Sequence, residues 1–159
     1  MKGSTHLAAG VITGLFLAIH THAEPALTST LIAGASLGSL LPDIDNCQSA
    51  IGNKIKPVSF LTQILIGHRT VFHAPVLYII LYIMFTQTAP VLVPIINGIA
   101  VGIASHLFLD MLNPAGIPLL WPISKRYRIL SIRSGGLIDR LLAFVLWLFV
   151  LFLVILAYS

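Results

Sequence analysis

The stretch "LIDRLLAFVLWLFVLFLVILAY", Leu137 to Tyr158, decides the fold class. From Leu141 onward it holds no charged residue and is apolar all the way round a helix. Such a helix is buried in a large core or in a bilayer, and about 20 apolar residues in helical form cross a bilayer's hydrocarbon. The rest of the chain agrees. Its 159 residues are 57% hydrophobic and only 9% charged, with a mean hydropathy of +0.98, whereas soluble domains carry about 25% charged residues. So little charge cannot cover a water-facing surface. The net charge of +4 is then no argument for nucleic acid, because positive charge beside membrane spans sets orientation. A single cysteine, Cys47, excludes an intrachain disulfide framework and a multi-cysteine zinc site.

Working outward from the last span, four more are expected: roughly Thr5 to Ala23, Ala26 to Leu41, Thr70 to Thr86 and Val91 to Leu112. Pro25 and Pro90 fit short turns between paired helices. Val58 to Ile66 is apolar but short, and reads as a re-entrant or interfacial helix. The expectation is all-α: one domain over residues 1–159, a polytopic membrane helical bundle of about five transmembrane helices plus that short one. A rival reading concerns the start, where Lys2, an apolar run and "THAEP" resemble a signal peptide cleaved after Ala23.

The basic residues orient the bundle. Lys2 precedes the first span; Lys54, Lys56 and Arg69 lie between the second and third; Lys125, Arg126, Arg128 and Arg133 lie between the fourth and fifth, which Arg140 opens. The opposite loops, "HTHAEP" and "QTAP", contain no Lys or Arg. With five spans, all nine basic residues share one face, which the positive-inside rule makes cytoplasmic, together with the N-terminus.

Most other polar residues fall on the same face. His6 is at that end of the first span, Asp43 and Asp45 just past the second, His68 and His73 at the start of the third, His106 and Asp110 at the end of the fourth, and Asp139 at the start of the fifth. Only His20, His22 and Glu24 belong to the other side. Any one of these alone reads as an interfacial side chain. Delivery of His or Asp by four separate segments to one face points to a metal site. His106 and Asp110, four apart on a helix, share a face. Asp43 and Asp45, beyond Pro42, can address one ion or two adjacent ones. His68 and His73, five apart, would diverge on a regular helix, so His73 is expected on the helix and His68 in the loop.

Mixed imidazole and carboxylate ligation suits Zn²⁺, Mn²⁺ or Fe²⁺. Seven side chains exceed one tetrahedral zinc and suit two ions about 4 Å apart. Small-xxx-small spacings, Gly10 and Gly14, Gly34 and Gly38, Gly98 and Gly102, let membrane helices approach closely. The last pair continues at steps of four into His106 and Asp110, which turns the polar end of that helix toward the bundle interior. In the loop Asn113–Gly136, the basic residues, Arg133 among them, set topology and meet anionic headgroups, or hold a phosphorylated substrate. Arg69, between two candidate ligand histidines, suits bidentate contact with phosphate.

The fragments "STHLAAG", "LGSLLPDID", "GHRTVFHA" and "SHLFLDMLNPAGIPLLWP" resemble, in order and over nearly the whole chain, the YdjM-like family of LexA-regulated inner-membrane metal-dependent hydrolases. The resemblance implies a bacterial inner-membrane protein and, through a distant similarity to zinc-dependent phospholipase C and P1-type nucleases, a metal-assisted phosphoesterase. It carries over His6, Asp43, Asp45, His68, His73, His106 and Asp110 as ligands. The leading expectation is hydrolysis of a lipid phosphate ester at the cytoplasmic leaflet, with one or two transition-metal ions, Asp45 bridging or acting as general base, and Arg69 on the phosphate. The alternatives are a divalent-metal transporter or sensor, and a non-catalytic membrane protein with a structural metal. A metal-free histidine phosphatase lacks its serine–arginine dipeptide, since Ile99 and Ala100 stand there.

Overall fold

The computed structural model describes residues 1–47, 49, 51–54, 56–57, 59–60, 71–123 and 125–158. Among the described residues, five long α-helices make up the bundle: α1 (Gly3–His20), α2 (Pro25–Gly38), α3 (Pro75–Thr88), α4 (Val93–Met111) and α5 (Leu137–Tyr158). Among the described residues there is no strand, only an isolated antiparallel bridge between Ile117 and Tyr127. Segments containing α1, α2, α4 and α5 are long and apolar enough to cross a membrane. The shorter α3 is an apolar helix of 14 residues, about 21 Å at 1.5 Å per residue, against a hydrocarbon core of about 30 Å. The bundle turns large apolar side chains outward, Phe144 and Phe152 on α5 among them, which suits lipid and not water.

The third helix begins later than expected from Thr70. Pro75 occupies its first turn and Ala74, its N-cap, is extended at φ −92° and ψ 118°, as the residue before a proline tends to be. His73 therefore stands not on the helix but in a 3-10 turn, Val71–His73, just ahead of it. The expected short helix at Val58–Ile66 lies outside the described residues except for Ser59 and Phe60, where the chain is helical.

Glycine sets the spacing of the central helices. A Cβ on Gly34 would stand 2.6 Å from the Ile95 carbonyl oxygen of α4, and one on Gly98 would stand 2.5 Å from the Leu31 carbonyl oxygen of α2. Neither backbone could come this close if either residue carried a side chain, so α2 and α4 are in backbone contact. A Cβ on Gly102 would press on the Ala35 carbonyl and lie 2.8 Å from Ser39 N. Gly102→Val is expected to force the two helices apart at a cost of about 1–3 kcal/mol. That would be read as a lower melting temperature in detergent; an unchanged melting temperature would contradict the contact.

The buried Asp139 ties α5 to α1. Its carboxylate accepts hydrogen bonds from Thr5 Oγ1 at 2.7 Å, Lys2 N at 3.1 Å and Gly135 N at 2.6 Å. The loop after α4 folds back on that helix: Ile117 packs on Ile103 and Leu107, and Ile129 N and Ile132 N donate to the Met111 and Leu112 carbonyls at 2.8 Å each. The start of α1, the ends of α2 and α4, and the starts of α3 and α5 thus meet at one end of the bundle.

Candidate metal centre

Four segments deliver side chains to that end. His6 lies in the first turns of α1, Asp43 and Asp45 in a 3-10 turn, Leu41–Asp45, after α2, His73 in the turn before α3, and His106 and Asp110 in the last turns of α4. All six are buried, and Asp43 is the least so, with a side chain 10% exposed. Pro42 explains the aspartate turn: placed early in the 3-10 segment, it ends the regular helix of α2 and lets the next residues turn inward.

His73 is at the hub. Its Nε2 is 3.4 Å from Asp110 Oδ2 and 3.7 Å from Asp43 Oδ1, while its Nδ1 is 3.8 Å from Asp45 Oδ2. His106 Nε2 lies 3.8 Å from Asp110 Oδ2 and 3.9 Å from Asp43 Oδ1. His6 Nε2 lies 3.4 Å from Asp110 Oδ1, and its ring stacks on His106 with centroids 3.8 Å apart and planes 15° apart. Two triads emerge, His6–His106–Asp110 and Asp43–His73–His106, each with ligand atoms all within 4.8 Å of one another.

These separations fit a metal better than they fit hydrogen bonds. N–H···O bonds cluster near 2.9–3.0 Å. Ligand atoms on a tetrahedral ion with bonds of about 2.0–2.1 Å stand roughly 3.3–3.4 Å apart. The His–Asp distances, 3.4–3.9 Å, lie at and just above that value. Orphaned nitrogens support the same fit: among the described residues neither ring nitrogen of His6, nor Nε2 of His106, has a hydrogen-bond partner, although all are buried. Buried polar atoms are rarely left so.

His106 is also oriented from behind. Its Nδ1 is 2.7 Å from the Ser39 carbonyl oxygen. A carbonyl only accepts, so Nδ1 carries the proton and Nε2 presents its lone pair to the cluster, the usual arrangement behind a ligating histidine.

Of the sequence candidates, the structure brings together His6, Asp43, Asp45, His73, His106 and Asp110. His68 and Arg69 lie outside the described residues. Arg133 is exposed in the α4–α5 loop, and its side chain makes no hydrogen bond or ion pair with the cluster. Two contributors had no signal in the sequence. One is the Ser39 carbonyl, a backbone group any residue type could provide. The other is the Met1 ammonium, which donates to Asp110 Oδ1 at 2.9 Å. His22, at the far end, takes a left-handed conformation, φ 50°, in the turn that closes α1, where Ala23 N donates to the Ala18 carbonyl at 2.9 Å.

The family model for the YdjM inner membrane protein matches residues 1–159. The chain is similar to the uncharacterized protein YvsG of Bacillus subtilis (strain 168), 33% identical over 142 residues that cover 89% of this chain and 86% of that protein. It is similar as well to the inner membrane protein YdjM of Escherichia coli (strain K12) and of Shigella flexneri, 33% identical over 123 residues. That stretch covers 74% of this chain but 63% of each YdjM, so the match spans less than two thirds of their length. No solved structure matches the chain. Matched from its first residue to its last by the family pattern, the chain belongs to the YdjM inner membrane protein family.

Proposed function

We propose that this protein is a membrane-embedded, metal-dependent hydrolase that cleaves a phosphate ester of a lipid-type substrate, at the cytoplasmic leaflet of a bacterial inner membrane. The observation that carries the reading is the cluster itself: buried histidines and aspartates from four segments, at ligand spacing, at the end of the bundle where lipid headgroups would lie. Zinc is the metal best suited to the mixed imidazole and carboxylate set, with manganese or iron as substitutes. A bound ion of this kind supplies Lewis acidity, which polarises a phosphoryl oxygen and acidifies water.

The chain's own residues do the rest. His6, His73, His106, Asp43 and Asp110 hold the metal. The Ser39 carbonyl keeps His106 Nε2 aimed inward. Because Nδ1 is taken, His106 would offer a metal its Nε2 alone. Asp45 belongs to neither triad and lies on the other side of His73, its Oδ2 facing Nδ1. There it would accept the Nδ1 proton and hold the His73 ring with Nε2 toward the cluster. Arg69, four residues before His73 in the "GHRTVFHA" segment, is assigned to the phosphate for its chemistry. Arg133, exposed and apart from the cluster, is assigned to anionic headgroups.

One observation favours a second reading, a structural metal in a non-catalytic protein: the six side chains are nearly closed off from solvent. Against a transporter, the ligands sit at helix ends and not at the midplane, where transport sites lie. The test begins with metal. Protein purified without chelator is expected to carry one or two transition-metal ions per chain and to release phosphate or a phosphorylated headgroup from a panel of lipid phosphates; stripping the metal should abolish this and zinc or manganese should restore it. Metal without any turnover would leave the structural reading. Topology is checked separately. Reporters after Glu24 and at the end of α5 should read outside, and those after Lys54 and Lys125 inside. Opposite faces for the last two would end the single-leaflet assignment.

A further inference from the structure

We infer that the cleft between α3 and α4 holds one acyl chain of the lipid whose phosphate head reaches the His/Asp cluster. The inference rests on the lipid-phosphate reading and names how the substrate is gripped. The cleft measures about 470 Å³, within the usual range for small-molecule sites. Its wall is hydrocarbon from Leu41, Pro75, Phe85, Ile99 and Ile103, among others. Among the described residues its two hydroxyls are both engaged: Tyr78 donates to the Phe72 carbonyl at 2.7 Å and Tyr82 to Asn97 Oδ1 at 3.0 Å. The described wall has no free polar group for a ligand, so an apolar chain is the occupant it fits.

The cleft's lining also adjoins the site's residues along the chain. Leu41 is two residues before Asp43, and Pro75 two after His73. On α4, Ile99 and Ile103 precede His106 by seven and three residues, so the three share one helix face. Two lining residues of the cleft therefore lie on the α4 face that carries a candidate ligand. Along α3 the lining extends from Pro75 to Phe85, about 15 Å at 1.5 Å per residue. That is half of a hydrocarbon core about 30 Å thick, the depth of one leaflet. A lipid in the leaflet on the cluster's side would lay its chain along the cleft with its phosphate at the His/Asp end. A second apolar cleft, between α1, α4 and α5, is lined by Ala9 and Thr13 on α1 and by Val101, Ala104, Phe108 and Leu109 on α4, among others. Ala9 lies three residues after His6 and Leu109 three after His106, so this cleft is the rival path to the cluster and the labelling pattern decides between the two.

The test uses the full chain in phosphatidylcholine nanodiscs with a phosphatidic acid carrying a photoreactive diazirine midway along one acyl chain, and maps cross-links by mass spectrometry. Labels should concentrate on α3 and α4 residues of the cleft. Ala100→Trp, which fills the cleft without touching a cluster residue, should reduce cleft labelling at least tenfold and leave metal content unchanged. Val101→Trp, in the other cleft, should change neither. If Ala100→Trp fails to fold, Ile96→Trp at the far end of the cleft replaces it and should remove labelling by a diazirine at the chain terminus. A diacylglycerol with the same photoreactive chain should label the cleft at least fivefold less, because it lacks the phosphate. Labels spread evenly over the outer face of α5, cleft labelling unaffected by the blocking variant, or equal labelling by the diacylglycerol would each overturn the inference. Cleft labelling that follows this pattern, with no phosphate ester cleaved by the wild type, would uphold the inference and defeat the hydrolase reading instead.

Discussion

His106→Ala should abolish transition-metal binding and, with it, the proposed hydrolysis, while the bundle stays folded. His106 is the one residue that both triads share. Its ring is held by the Ser39 carbonyl at 2.7 Å, which leaves Nε2 as its single donor to the cluster. Loss of a partner behind a ligand already lowers metal affinity about 10–100-fold, so loss of the ligand common to both triads should exceed that. Metal per chain is expected to fall to background after dialysis, and kcat/KM to fall by about 10³-fold or more, the scale on which single electrostatic contributors act. His106→Gln tests the same point without a cavity: it keeps volume and polarity but lacks the imidazole nitrogen at that position. Asp110→Asn should do less, because Asp110 belongs to one triad only. Full metal content in His106→Ala would remove this residue from the site, and equal losses in His106→Ala and Asp110→Asn would contradict its central place.

The five helices were legible because their apolar runs are long and their partners few. Composition alone ruled out a water-facing surface, and the span order made one shared face for the nine basic residues an expectation for topology reporters to test. The convergence of His6, Asp43, Asp45, His73, His106 and Asp110 was legible for the same reason: once spans are antiparallel, residues at alternate ends share a level. What could not be read was anything set by contacts across the bundle. The pairing of His6 with His106 in a 3.8 Å stack depends on how closely α1 and α4 pack. The two roles of the aspartate pair depend on the 3-10 turn, which points Asp43 to one side of His73 and Asp45 to the other. The displacement of His73 from the helix was within reach, since Pro75 two residues later restrains the residue before it. The Ser39 carbonyl was out of reach, because a backbone acceptor leaves no mark on residue identity. Asp139 shows the converse. It maps to the same end as the cluster, yet its carboxylate is fully occupied with Thr5, Lys2 and Gly135, so position on the right face did not by itself make a ligand.

The segment "GHRTVFHA" should separate into two functions under mutation. His73 is buried among three carboxylates, with Nε2 3.4 Å from Asp110 and 3.7 Å from Asp43. Arg69, four residues earlier, is a permanently charged guanidinium with no lone pair to give to a metal. His73→Ala is therefore expected to lose metal and activity together, since it removes one ligand of the Asp43–His73–His106 triad. Arg69→Ala should keep the metal and the fold and lose only what a guanidinium gives to a phosphate. Hydrogen bonds to charged groups are worth about 1.5–3 kcal/mol, so kcat/KM should fall by about 10–100-fold. A loss confined to KM would place the contact equally in ground and transition states, whereas a fall in kcat would place it in the transition state alone. Arg69→Lys should recover part of the loss and not all, because the ammonium restores charge without the bidentate fork. Wild-type kinetics in Arg69→Ala would reduce Arg69 to one more topology-setting positive charge. Undiminished metal in His73→Ala would leave His6, His106 and Asp110 as the whole of the metal site.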